Sequence, residues 1–107
     1  MNKERLAQLL NFLKEEPNDP FILYAIATEY SQDEPGKALE YYEKLLSEHE
    51  NYVATYYHTA KLYADLGEME KAENTFLKGI EIAKAQNESL ALRELQNAYN
   101  EFLYEDE

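Results

Sequence analysis

The chain has 107 residues, of which 45% are hydrophobic and 30% charged, and its formal net charge is −12. This length fits one folded domain, and an aromatic content of 13% argues against intrinsic disorder. Proteins bind nucleic acid and anionic membranes through Lys and Arg, and this chain has 10 such residues against 22 acidic ones. We therefore expect no nucleic-acid partner and no membrane partner.

The cellular compartment is predicted from what the chain lacks. It contains no cysteine, which excludes a disulfide framework, thiol catalysis and cysteine-ligated zinc. Residues 1–16 carry charges among their apolar residues and lack the continuous apolar core and cleavage site of a secretory signal. No run approaches the roughly 20 apolar residues that a spanning helix needs. These features predict a cytoplasmic protein.

The first two helices are predicted from leucine spacing and prolines. Four leucines at i, i+3, i+4 and i+7 give residues 3–16 one apolar face: Leu6, Leu9, Leu10 and Leu13. Pro17 ends this helix, because the residue before a proline is pushed out of the α region. Asp19 then supplies an N-cap and Pro20 the first helical position of a second helix, which is predicted to end near Gln32.

Four more helices follow, and no strand pattern is present. Asp33-Glu34-Pro35 predicts a third helix over 35–49. A fourth, over 52–66, is predicted to be capped by Asn51 and closed by Gly67 in the left-handed conformation. The fifth covers 68–85. After a break near 87–89 the last helix carries five apolar residues, Leu92, Leu95, Tyr99, Phe102 and Leu103. The fold is therefore predicted to be all-α, with about six helices.

The chain also repeats itself at a nearly constant spacing. Three residues recur 34 positions later: Ala38, Tyr42 and Leu46 as Ala72, Phe76 and Ile80. Three others recur after 33 positions: Ile26, Ala27 and Tyr30 as Thr59, Ala60 and Tyr63. Recurrence at this period indicates helical hairpins that bury their apolar faces against one another. The small residues among them allow two helices to approach closely.

This pattern resembles the tetratricopeptide repeat. The family motif has an aromatic residue or Leu, then an apolar and a small residue three and four positions later, and then a Tyr three positions after the small residue. Its first copy here is Leu23, Ile26, Ala27 and Tyr30, and its second is Tyr56, Thr59, Ala60 and Tyr63. A weaker third copy is Leu92, Leu95, Gln96, Tyr99. The resemblance implies antiparallel hairpins stacked as a right-handed α-solenoid in a single domain, 1–107. Its parts would be a half-repeat helix (1–17), repeat 1 (19–51), repeat 2 (52–86), and a partial repeat or capping helix (88–104).

The sequence departs from the family at three positions. Thr59 and Gln96 are polar where the family usually has apolar or small residues. Lys84 stands where a proline is expected, so the fifth helix is predicted to run long. One family subset grips a terminal carboxylate with Lys, Asn and Arg. The corresponding positions here are Tyr24, Thr28, His58, Leu90 and Glu94, so this clamp is not expected.

The resemblance implies a non-enzymatic adaptor or scaffold that binds a peptide or helical segment in a concave groove. The matching positions of the first helices are Phe21, Tyr24, Thr28, Ala54, Tyr57, His58, Lys61, Arg93 and Asn97. We expect them to form one aromatic strip to which Lys61 gives local positive charge. The alternative is a structural subunit that self-associates through its terminal helices, for example as a homodimer, since the first helix has a broad apolar arc including Phe12.

Catalytic and metal-binding motifs are absent from the sequence. His49 and His58 fall on different predicted helices with no HExxH motif, so no metal site is expected. The chain has no Gly-rich phosphate loop and no nucleophile elbow, and we expect no cofactor. Adjacent carboxylates such as Glu15 and Glu16 are interpreted as solvated helix surface. We therefore do not expect an enzyme.

Overall fold

A computed structural model describes residues 1–105, and this part of the chain consists of six α-helices joined by short links, without strands. Residues 106 and 107 of the predicted domain lie outside the described part. The helices are α1 (Lys3–Glu15), α2 (Pro20–Tyr30), α3 (Pro35–Glu48), α4 (Ala54–Asp65), α5 (Met69–Ala85) and α6 (Ser89–Glu105). The all-α prediction is confirmed, and none of these described helices has the length and apolar character needed to cross a membrane.

Side-chain caps start the first two helices. The Asn2 side chain accepts a hydrogen bond from the backbone N–H of Arg5, at 3.0 Å. Asp19 accepts one from the N–H of Phe21 at 2.9 Å, and Pro20 is the first helical residue, as the sequence predicts. Both caps satisfy N–H groups that have no partner within the helix.

The start of α4 differs from the prediction, which is wrong in naming Asn51 as its cap. The helix begins at Ala54, and Val53 occupies the N-cap position without a side-chain hydrogen bond. Asn51 lies instead in a turn in which the N–H of Tyr52 donates to the carbonyl of His49, at 2.9 Å. The local preference of Asn for an N-cap is thus overridden by the turn that follows α3.

Two helices end in the same hydrogen-bonded motif. Gly67, with φ of 82°, donates to Ala64 O, and the next N–H, of Glu68, donates to Tyr63 O. Asn87, with φ of 57°, and Glu88 repeat this arrangement at the end of α5. These are Schellman motifs, which favour Gly or Asn at the left-handed position. The prediction for Gly67 is confirmed, and Asn87 explains where α5 stops without a proline.

The first of two compact units, Met1–Tyr52, contains α1, α2 and α3. Helix α2 packs against both α1 and α3, and its Leu23 and Ile26 are fully buried. Polar contacts join the residues before α1 to the last turn of α2 and to the link that follows it. The N-terminal ammonium lies 3.0 Å from an Asp33 carboxylate oxygen, and the N–H of Asn2 donates to Glu29 at 3.0 Å.

The second unit begins at Val53 and contains α4, α5 and α6. Helix α5 packs against both α4 and α6, and α4 also contacts α6. Helices α4 and α5 approach each other closely at Gly79, since a Cβ built there would lie 2.5 Å from Tyr56 Cβ. The rings of Phe76, Tyr99 and Phe102 pack together across α5 and α6, with the centroids of Phe76 and Phe102 5.5 Å apart.

The polar residues that depart from the family pattern have separate explanations. Thr59 is fully buried, and its hydroxyl donates to the carbonyl of Thr55 at 2.7 Å, so burial leaves no unsatisfied donor. Gln96 is exposed, whereas the equivalent Ala27 and Ala60 are fully buried. Within residues 1–105, no helix packs over the side of α6 that carries Gln96.

A substitution at Ala72 tests how closely α5 packs against its neighbouring helices. It is fully buried on α5, whereas Ala85 at the end of the same helix is exposed. We expect Ala72→Leu to lower the free energy of unfolding by about 2 kcal/mol, because overpacking a close crossing costs roughly 1 to 3 kcal/mol. Ala85→Leu should change it little. Urea melts followed by circular dichroism would compare the two, and equal midpoints would contradict the contact.

Candidate functional site

Three predicted site residues, Tyr57, His58 and Lys61, lie together on α4 and are here called the α4 patch. Tyr57 and Lys61 are four residues apart, so they are neighbours on the helix surface. The ammonium of Lys61 lies 5.2 Å from the centroid of the Tyr57 ring and donates to its hydroxyl at 3.4 Å. The His58 ring meets the Tyr57 ring edge-on, with centroids 5.3 Å apart. Tyr57 is therefore held in place from two sides.

His58 has an altered pKa. Partial burial of the ring lowers the pKa of His58 from 6.5; the carboxylate of Glu94 opposes this shift, and the cation of Lys61 adds to it. The imidazole is consequently neutral at pH 7, where it can both donate and accept a hydrogen bond. Glu94 lies on α6, which packs against α4.

A cleft between α4 and α6, here called the α4–α6 cleft, continues from the patch. Lys61 and Asp65 line it from α4, and Glu101 and Glu105 line it from α6. Two small residues, Ala64 and Ala98, also line the cleft, and their short side chains leave space between the two helices. Phe76 and Phe102, which are 1% and 7% exposed, complete its lining. The cleft thus combines aromatic side chains, three carboxylates and one ammonium.

Tyr24 and Thr28 lie on α2 in the first unit, within a cluster of tyrosines. The Tyr24 ring is half-buried and packs against Tyr42 and Tyr52, with centroid distances of 6.5 and 5.9 Å. The hydroxyls of Thr28 and Tyr42 are 3.3 Å apart. Burial raises the pKa of Tyr42, and the hydrogen bond between Tyr42 and Thr28 opposes this shift by lowering the pKa. Tyr24 therefore contributes to packing and also keeps part of its ring exposed.

The remaining predicted site residues are exposed. Phe21, in the first turn of α2, is 63% exposed, and Ala54 is the first residue of α4. Arg93 and Asn97 lie on the surface of α6, and neither lines the α4–α6 cleft. The single strip predicted to join all nine residues stays a prediction.

Sequence reasoning did not single out Asp65, Glu101 or Glu105. Ala98, Glu101 and Glu105 follow Glu94 at intervals of four, three and four residues, which places these four side chains on one face of α6. This stripe is visible in the sequence, but only the packing of α6 shows that it faces α4. Among the described residues, no group of three or more His, Asp or Glu side chains is arranged to hold a metal ion.

Known proteins similar to this chain share its repeat pattern. The family model described as tetratricopeptide repeat matches residues 29–99. A solution structure of a tetratricopeptide repeat domain protein from Salinibacter ruber is 39% identical over 80% of this chain and 88% of that one, with a TM-score of 0.75. A crystal structure with the same description and organism is 38% identical over 79% and 96%, with a TM-score of 0.76. Curated proteins gave no significant match.

Proposed function

This chain belongs to the tetratricopeptide repeat family and is therefore, in general terms, a protein-protein interaction module; we propose that it binds a peptide or helical segment of another protein. Members of this family are typically non-enzymatic scaffolds, and we propose the same for this protein. The bound segment would lie on the exposed sides of the first helices, with α4 and α6 contributing most in the second unit. A cytoplasmic location is part of the proposal.

The observation that supports this proposal best is the fixed position of Tyr57 beside an open cleft. Tyrosine provides a large contact area at a low cost in conformational entropy, and aromatic residues are enriched among binding hot spots. The contacts with His58 and Lys61 hold the Tyr57 ring before any partner arrives. Preorganisation of this kind lowers the entropy cost of binding.

We expect Tyr57→Ala to weaken peptide binding by about 1 kcal/mol or more, as truncation of an aromatic hot spot does. Peptides selected from a random display library on the full chain would supply ligands, and isothermal titration would give their dissociation constants. Tyr104→Ala is the matched control, because Tyr104 is 76% exposed and lies outside the cleft lining. Unchanged affinity in Tyr57→Ala, with helicity intact, would remove the α4 patch from the binding site.

A second candidate function, self-association through α1, is favoured by the exposure of Phe12. Phe12 is 54% exposed although Leu45, 33 positions later on α3, is fully buried. Gly79, the corresponding residue of α5, is buried as well. Beside Phe12, an apolar depression is lined by Leu10, Leu13 and four neighbours, Ala7, Asn11, Lys14 and Pro17. Within the described residues, this face of α1 therefore presents apolar surface that a second copy of the chain could cover.

If α1 mediates a dimer, we expect Phe12→Glu to yield a helical monomer, because a carboxylate cannot be buried in an apolar interface without a partner. Size-exclusion chromatography with light scattering would measure the mass of the parent and the variant at high concentration. Leu77→Glu is the control, since Leu77 is a 47% exposed apolar residue on α5. A parent that is monomeric at all concentrations would eliminate this second function.

A further inference from the structure

We infer that the α4–α6 cleft receives a cationic side chain of the bound segment, with arginine preferred over lysine. This inference rests on the proposed peptide-binding function and specifies the chemistry of its ligand. It reverses the expectation that Lys61 makes this surface positive, because the cleft lining contains one ammonium and three carboxylates, for a formal charge of 1 − 3 = −2.

Lys61 does not neutralise these carboxylates. Its ammonium lies over the Tyr57 ring and donates to the Tyr57 hydroxyl. Within residues 1–105, Asp65, Glu101 and Glu105 take part in no ion pair, although they line the same cleft. The cleft therefore keeps an excess of negative charge that a ligand can complement.

The position of the carboxylates also favours a cation between the two helices. Glu101 and Glu105 are four residues apart on α6, a spacing at which like charges repel each other. Asp65 faces the same cleft from α4. A cation placed among the three would relieve the repulsion on α6 and gain attraction from both walls. Electrostatic complementarity of this kind mainly determines partner choice and association rate.

The carboxylates and the apolar surface beside them favour arginine. Phe102 and Phe76 contribute to the cleft, and an adjoining depression adds Met69, which is 42% exposed. The planar guanidinium group can bind carboxylates in pairs through its N–H groups, which an ammonium group cannot do. The aliphatic stem of arginine would meanwhile cover apolar surface such as that of Met69.

Two other occupants fit the structure less well. A divalent metal ion would need several ligands converging on one point, and the residues described here form no such group. A free polyamine would match the charge but would make no use of Tyr57, which lies next to the cleft through Lys61. A side chain carried on a peptide accounts for both features.

The test starts from peptides selected on the full chain from a random 12-residue display library. We expect them to carry Arg at a constant distance from an apolar residue. Fluorescence polarisation should then show that Glu101→Lys raises the dissociation constant of these peptides at least tenfold in 50 mM salt. The increase should be smaller in 300 mM salt, which screens the charges. Glu81→Lys makes the same charge change at an exposed site on α5 and should have little effect.

Changing the peptide separates the possible outcomes. Replacing its Arg by Gln should weaken binding to the parent and abolish the effect of Glu101→Lys. Peptides that depend on Tyr57 but lack a basic residue, or are insensitive to Glu101→Lys, would overturn this inference and leave the proposed function standing. Peptides insensitive to both Tyr57→Ala and Glu101→Lys would overturn both. Spermine that displaces the peptide from the parent and from Tyr57→Ala equally well would also overturn the inference, in favour of non-specific ionic binding.

Discussion

Gly79→Leu is expected to lower the free energy of unfolding by about 3 kcal/mol, at the upper end of what overpacking costs. A Cβ at position 79 would already lie 2.5 Å from Tyr56 Cβ and 3.2 Å from Leu95 Cδ2. Tyr56 Cβ is attached directly to the backbone of α4, so it cannot rotate away, and α4 and α5 would have to separate. The effect exceeds the roughly 1 kcal/mol by which leucine is the better helix former.

The substitution is informative because leucine is the residue found at the corresponding place in the first unit. Leu45 is fully buried 34 positions before Gly79, and Leu23 is fully buried 33 positions before Tyr56. The second unit thus has a larger residue on its first helix and a smaller one on its second. The larger side chain of Tyr56 fills the space that the smaller Gly79 leaves, which explains why the repeat tolerates glycine in the middle of α5.

Gly36→Leu provides the matched control for this prediction. Gly36 lies in the first turn of α3, and a Cβ there would have no atom within 4 Å. We expect a gain of up to about 1 kcal/mol from helix propensity. Urea unfolding followed by circular dichroism would measure both variants. Equal destabilisation by the two substitutions would contradict the close approach of α4 and α5.

Most of the fold could be predicted from the sequence because the repeat and the local signals agree. Leucine spacing predicts α1, and Asp19-Pro20 correctly places the start of α2. Gly67 is correctly identified as the left-handed residue after α4. The error at Asn51 arose because its side chain suits an N-cap, whereas the turn after α3 delays the start of α4 to Ala54. Residue preference alone does not determine which of several polar residues caps a helix.

The candidate site was less predictable, because it depends on the distance between helices that are far apart in sequence. The spacing of Tyr57 and Lys61 placed both on one face of α4, as the structure describes. Nothing local to Glu101 indicates that it lines a cleft with Asp65. The packing of Phe102 between α5 and α6 determines this placement, and the third copy of the repeat is too weak to give its register.

Phe102→Ala is expected to lower the free energy of unfolding by about 3 to 5 kcal/mol, the usual cost of truncating a buried phenylalanine. Phe102 is 7% exposed, and its ring centroid lies 5.5 Å from that of Phe76 and 6.3 Å from that of Tyr99. Its removal leaves a cavity where α6 packs against α5. Because α6 packs mainly against α5, where this cavity lies, we expect this variant to lose part of its helicity before the rest of the chain unfolds.

Phe21→Ala is the control, since it is the same substitution at a residue that is 63% exposed, and it should change stability by less than about 0.5 kcal/mol. Native-state hydrogen exchange would show whether protection is lost first in α6, as expected from the small number of elements that cover it. Loss of Phe102 should also weaken peptide binding, because its ring lines the α4–α6 cleft. A Phe102→Ala variant as stable as Phe21→Ala would mean that α6 does not depend on this aromatic cluster, and the cleft would then lack a fixed wall.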